Sequence, residues 1–296
     1  MALRVTQSML NHNMLRNLNK SMNRLSDLQE QLSSGKKVSR PSQDPVIATR
    51  GMFYRTALTK NEQFLRNAEI ASTWMDMTDN VLNEAGNIFQ RINELLIYSG
   101  DGAVSPEDLK AMGEEVAQLK AQLGTLANQT INGRYIFNGT DTTQPPYDMT
   151  AGEFTGTNSE EIKLEVSQGV QVAINVNSQK IFNYPDSANN IFKLLDKIID
   201  DLSNGRPATQ HQAAFTQQHD NLLAERAALG ARVNRIELVL ERLKDQEVNT
   251  TTLLSKNEDA DEAAVITELK TQENVHRAAL GAGARIIQPS LLDFLR

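Results

Sequence analysis

Near each end of this 296-residue chain, apolar residues return at alternating intervals of three and four, a spacing that suits only helices packed along their length. With Leu15 as the first core position of a heptad, Leu18, Met22, Leu25, Gln29 and Leu32 follow in turn, with Leu28 alongside. Toward the other end Val265, Leu269, Gln272, His276 and Leu280 keep the same interval, and Leu291, Leu292, Phe294 and Leu295 form a final cluster. The two stretches read as partners. Two thin helices paired only with each other leave their flanks wet, so the ends are expected to stay loose in the lone molecule and to order when buried against further copies.

The rest of the composition fits long helices better than one large globule. Hydrophobic residues make up 40 % of the chain and aromatics 5 %, with Trp74 the single tryptophan. Apolar runs stop at four residues, at Leu95–Tyr98 and Ala263–Ile266, so no membrane span is expected. The start, MALRVTQSMLNHNM, lacks the apolar core of a secretory signal. Cysteine is absent, which removes disulfides, thiolate metal sites and cysteine nucleophiles together.

Charge is divided unevenly. Residues 1–60 carry ten Lys and Arg against three acids, a net of +7, while the remainder carries 20 against 34, a net of −14. Nucleic acid is not the expected partner, because no aromatic precedes Phe53 to stack on a base and no recognition motif accompanies the charge. Complementarity between the basic arm and acidic regions, within or between subunits, explains the imbalance better. Arg16, Lys20 and Arg24 fall away from the seam and also suit a solvated face.

Punctuation divides the chain into segments. Gly35 is a natural left-handed helix cap, Pro41 and Pro45 forbid continuity, and Asp44 before Pro45 starts a helix with capacity to reach Gly100. Its face holds Val81, Ala85, Ile88, Ile92 and Leu95, and a new helix starts at Ser105-Pro106. After Asn132-Gly133 the period changes. A strand is expected over Arg134–Asn138, and a hairpin from the alternation of Ile162, Leu164 and Val166 with Val170, Val172, Ile174 and Val176 about Gln168-Gly169. Helix returns at Ser187, and Phe215, Leu222, Leu229, Ile236 and Leu243 then recur seven apart, a second seam that can pair antiparallel with the helix before Gly100. Asp259 and Glu262 suggest the start of the last helix. The expected fold is mainly α with a small β-rich insertion, a long antiparallel helical bundle or coiled coil built from both chain ends. The expected domains are 1–40 with 256–296 as the terminal coiled coil, 41–133 with 187–255 as a helical rod, and 134–186 as the outer β-rich insertion.

Chemistry-bearing clusters are missing from this pattern. His211 and His219 lack a carboxylate at helical metal-site spacing, and the half phosphate loop Gly281-Ala282-Gly283-Ala284 follows helix rather than strand, so close helix packing explains it better. The insertion holds neither histidine nor cysteine, and its acids are scattered. No active site, cofactor site or metal site is expected.

Gln31–Arg50, QLSSGKKVSRPSQDPVIATR, resembles the end of the N-terminal arm of flagellins and flagellar hook-associated proteins, and Ala228–Leu243, ALGARVNRIELVLERL, resembles the matching C-terminal segment. Ser42-Gln43-Asp44-Pro45, the run Asn132–Thr140 and the ending Ile286–Arg296 favour the hook–filament junction branch of this family over flagellin itself. The resemblance implies a flagellin-like fold without enzymatic activity, and export through the flagellar type III channel after release from an export chaperone. It further implies an extracellular place between hook-associated protein 1 and flagellin, among copies of itself. A minor flagellin is the alternative within the family; an enzyme on a helical stalk and a cytoplasmic scaffold are the alternatives outside it. The residues expected at assembly contacts are Leu15, Leu18, Met22, Leu25, Leu32, Val265, Leu269, Leu280, Leu291, Leu292 and Leu295.

Overall fold

A computed structural model describes residues 7–287. Helix α1 spans Gln7–Ser34, α2 Pro45–Ser99 and α3 Pro106–Ala127; short strands follow at Thr130–Ile131 (β1), Arg134–Tyr135 (β2), Tyr147–Asp148 (β3), Glu153–Phe154 (β4), Lys163–Ser167 (β5) and Val170–Ala173 (β6). Helices α4 (Ser178–Ile181), α5 (Ile191–Ser203), α6 (Gln212–Glu258) and α7 (Glu262–Ile287) complete the described chain. Leu291, Leu292 and Leu295 lie outside the described residues.

Most helix ends fall where local chemistry places them. Gly35 takes φ +67° and stops α1. Asp44 Oδ1 accepts the amides of Val46 at 2.9 Å and Ile47 at 3.1 Å, capping α2. Ser105 and Asp108 satisfy each other's amides in a capping box ahead of α3. Two starts differ from expectation. Ser187 sits in a turn built by Asp186, whose Oδ1 accepts the amides of Ala188 and Asn189, so the helix begins after Asn190, whose own Oδ1 accepts the Lys193 amide at 2.9 Å. Asp259 bridges to Lys36 through its backbone, and the cap of α7 passes to Asp261, which accepts the Ala264 amide at 3.1 Å.

The chain forms two compact units, one drawn from residues up to Lys60 and from Glu247 onward, the other Asn61–Gln246. In the second unit α2 and α6 run antiparallel. Asn61 Nδ2 donates to the Leu243 carbonyl at 2.8 Å, Arg226 holds Asp79 at 2.9 Å and Asn83 at 2.8 Å, and the rings of Phe89 and Phe215 lie 5.4 Å apart. Phe215, Leu222, Leu229, Ile236 and Leu243 are all buried in one continuous core with Met75, Leu82, Phe89 and Ile92 of α2. Helices α3 and α5 join the same core through Leu109, Val116 and Leu123 and through Leu194, Leu195 and Ile198.

The strands make three separate two-stranded antiparallel hairpins. Asn132-Gly133, both at positive φ, turns β1 into β2, and Gly169 at φ +73° turns β5 into β6, with Leu164 opposite Val172. The strand expected over Arg134–Asn138 stops at Tyr135, because Ile136 and Phe137 leave the ladder and become fully buried. Phe137 packs edge-on against Phe182 at 5.2 Å, and Tyr147 lies 4.4 Å from Phe192, so aromatic burial rather than strand pairing holds this region. Gly124 permits it, since a Cβ there would collide with the Tyr147 ring.

Candidate assembly interface

In the first unit α1 and α7 pack antiparallel. Leu28 is buried between Val265 and Leu269, with Leu25 and Ala260 against them. One turn along, Arg24 reaches Glu268 at 2.5 Å; then Ser21 meets Gln272 at 3.1 Å and His276 at 3.2 Å, and Met14 lies over Gly283. A Cβ on Gly283 would collide with the Met14 side chain, so this glycine of the Gly281–Ala284 run lets the helices approach.

The pairing of the two ends is therefore present, in a register one residue away from the expected one. The internal seam runs Met14, Leu18, Ser21, Leu25, Leu28 rather than Leu15, Leu18, Met22, Leu25, Gln29. Leu15 and Met22, which are 54 % and 64 % exposed, lie on the flank of α1. Leu32 is exposed, and Leu18 is half-buried. On α7, Val265 and Leu269 are spent inward, whereas Leu280 is 49 % exposed and Ile266 44 %. Ser21 is more polar than Leu15 or Met22, yet it takes the seam because Gln272 and His276 supply its partners. Gln272 Nε2 donates to Ser21 Oγ, and the same hydroxyl lies within hydrogen-bond distance of His276 Nδ1. A satisfied polar layer of this kind fixes register where an apolar seam could slide. The partner helix, invisible in a reading of α1 alone, decided which face turns in.

The break between each pair of helices is tied by Glu258. Its side chain is 7 % exposed, sits against Gly51, and takes Arg55 at 2.5 Å and Lys36 at 3.4 Å. Backbone bonds close the same level: the Lys37 amide donates to the Glu258 carbonyl at 2.6 Å and the Ala260 amide to the Gly35 carbonyl at 2.8 Å. The Ser39–Gln43 turn is self-contained, with Gln43 Oε1 accepting the amides of Ser39 at 2.9 Å and Arg40 at 3.2 Å. Residues singled out in the sequence for family resemblance thus act as caps and ties. The buried role of Glu258 has no periodic signature and was missed.

Among the described residues no three His, Cys, Asp or Glu side chains converge as metal ligands, and no described helix is long and apolar enough to cross a membrane. What it presents is a paired helix strip with unspent apolar flanks.

Comparison with known proteins gives this strip its class. Residues 5–142 match the bacterial flagellin N-terminal helical region and residues 213–295 the bacterial flagellin C-terminal helical region. The chain belongs to the flagellin family. Within it, flagellar hook-associated protein 3 of Escherichia coli is 29 % identical over 301 aligned residues, covering 94 % of this chain and 94 % of the relative. The protein of the same description from Salmonella typhimurium is 25 % identical over 94 % of this chain and 95 % of its own length. Among solved structures, that described as a putative flagellar hook-associated protein from Vibrio parahaemolyticus shares the fold with a TM-score of 0.67 at 17 % identity, over 73 % of this chain and all of the other.

Proposed function

We propose that this chain is a structural junction protein of the bacterial flagellum, connecting the hook to the flagellin filament, with the α1–α7 strip as its assembly surface. The observation that carries the reading is the partition of the strip. Leu25, Leu28, Val265 and Leu269 are spent within the chain, while Leu15, Met22 and Leu280 remain open. Burying a large apolar side chain contributes about 1.5–3 kcal/mol, so these three, roughly half exposed, would together add on the order of 2–5 kcal/mol per copy on stacking. The partners are further copies of the chain, a subunit of the hook-associated protein 1 class on the hook side and flagellin on the filament side. Passage through a narrow export channel, preceded by a chaperone that shields the strips, agrees with a cysteine-free chain whose terminal helices share only a small core.

Leu15→Glu with Met22→Glu tests this reading, because neither side chain supports the internal seam. The variant is expected to be secreted with normal helix content and to leave cells without attached filaments, while labelled antibody places the unsubstituted protein at the filament base. Label along the whole filament would instead make the chain a minor flagellin. Normal filament retention by the variant would reject the strip.

A further inference from the structure

Asparagine precedes glycine three times in this chain, at Asn132, Asn138 and Asn204. Such a pair can react with itself, because a glycine with no Cβ lets its amide nitrogen approach the side-chain carbonyl of the asparagine before it. The structure treats the three differently. Asn138 is 6 % exposed, its Nδ2 donates to the Gln144 carbonyl at 3.1 Å, and Gly139 is packed so closely that a Cβ would collide with Asn158. Asn204 Nδ2 donates to the Asp200 carbonyl at 2.7 Å and the Gly205 amide to the Leu202 carbonyl at 2.9 Å, so both reacting groups are held at the end of α5. Asn132 is exposed, and neither its side chain nor the Gly133 amide has a hydrogen-bond partner among the described residues. Nothing lies within 4 Å of the place a Cβ on Gly133 would take.

Ring closure requires the left-handed turn at Asn132-Gly133 to open, and the β1–β2 ladder it joins consists of two residue pairs, Thr130 with Tyr135 and Ile131 with Arg134. An exposed turn on so short a ladder opens at little cost. The turn also borders a cleft of about 780 Å³ within the second unit, between α2 and the hairpins, with Trp74 in its wall. The charged residues lining that cleft are Arg66, Arg134 and Glu69, and neither arginine has an ion-pair partner among the described residues.

We propose that Asn132 is a self-modification site, which converts without an enzyme to aspartate and isoaspartate and so adds a carboxylate to the cleft beside Trp74. The Gly133 amide nitrogen attacks Asn132 Cγ, the bond from Cγ to the side-chain nitrogen breaks, and ammonia leaves carrying the proton that the backbone amide gave up. The product is a cyclic imide. Water then adds at one of its two carbonyls: opening at the backbone carbonyl leaves the chain routed through the side chain as isoaspartate, and opening at the side-chain carbonyl leaves ordinary aspartate. One water is consumed, one ammonia is released, and nothing is oxidised or reduced. Either product carries a negative charge where the chain had a neutral amide, in a cleft with two unpaired guanidinium groups.

The test ages the full-length protein in mildly alkaline buffer, where the backbone amide loses its proton more readily, and digests samples at acid pH so that handling adds no reaction. Fragmentation mass spectrometry then follows the change from amide to acid at each of the three asparagines. Asn132 is expected to convert several-fold faster than Asn138 and Asn204 in the folded protein, and the three rates to converge in urea, where no fold distinguishes them. Asn132 reacting no faster than the other two in the folded protein would overturn the proposal, as would an order unchanged by urea. Asn132→Gln is expected to abolish the product at this position, since the longer side chain closes its ring far more slowly, with circular dichroism unchanged. The Asn132→Asp protein carries the new charge without rerouting the chain. Because Trp74 is the single tryptophan, its fluorescence reads the cleft directly, and a shifted emission is expected in this variant. Emission identical to that of the unsubstituted protein would show that the charge stays outside the cleft and would overturn that part.

Discussion

Single residues in this protein do more capping and tying than the periodic pattern announces. Asp201 at the end of α5 is an example. It accepts a hydrogen bond from His211 Nε2 at 2.8 Å, and Gln210 and Arg206 lie beside it. The His211 bond is the main cause of a carboxyl pKa below its ordinary value. A carboxylate with a depressed folded-state pKa contributes stability that is complete above its unfolded value and is lost as pH falls through the folded one. Asp201→Asn is therefore expected to destabilise the second unit by about 1–2 kcal/mol at neutral pH, and to flatten the acid limb of the curve below the usual carboxylate range. Thermal melts across pH check both expectations. The cluster could not be read in advance, because His211 and Asp201 are ten positions apart and meet only through the turn that joins α5 to α6.

At the scale of elements, the contrast between α6 and α1 is instructive. The seven-residue repeat from Phe215 to Leu243 is buried along its whole length, as its spacing implied, because five large apolar residues in strict phase leave α6 one way to face a core. In α1 the apolar residues occupy two overlapping lines, and the Ser21–Gln272–His276 layer selects the less apolar one. Leu28, fully buried at the centre of the small cluster, bears most of that pairing. Replacing it with alanine should cost about 2–5 kcal/mol, enough to separate α1 from α7. The expected sign is a loss of cooperative melting in the terminal helices by circular dichroism while the near-ultraviolet signal of Trp74, in the other core, is unchanged. An equal loss of both signals would show that Leu28 supports more than the terminal pair. The hairpin about Gly169 was legible from its glycine and alternation, whereas the pairings of β1 with β2 and of β3 with β4 were not. The β-rich region was not legible as an aromatic cluster, since Phe137, Phe154, Phe182 and Phe192 are scattered over more than fifty positions.

For the whole molecule, the two units differ greatly in how much apolar surface they enclose. The core of Asn61–Gln246 gathers side chains from α2, α3, α5, α6 and the hairpins, whereas the other unit centres on Leu28, Val265 and Leu269 with the Glu258 tie. Opening free energy follows buried contact, so amides of α1 and α7 are expected to exchange well before those of α3 and α5 in the dilute monomer, and to become protected on assembly. Hydrogen exchange read by mass spectrometry checks this. Terminal helices as protected in the monomer as α3 would remove the reason to think that order arrives with stacking.

Sequence alone determined the helical class of this chain, the stops at Gly35 and Gly100, the seam of α6, the hairpin about Gly169 and the family, because each is written in local chemistry or short-range period. Tertiary structure decided which line of α1 faces α7, that Glu258 is buried beneath Gly51, and that Phe53 and Leu238 are left uncovered. Those outcomes depend on what lies opposite a residue in space, and a helix carries on its own surface no record of which of two apolar lines its partner will meet.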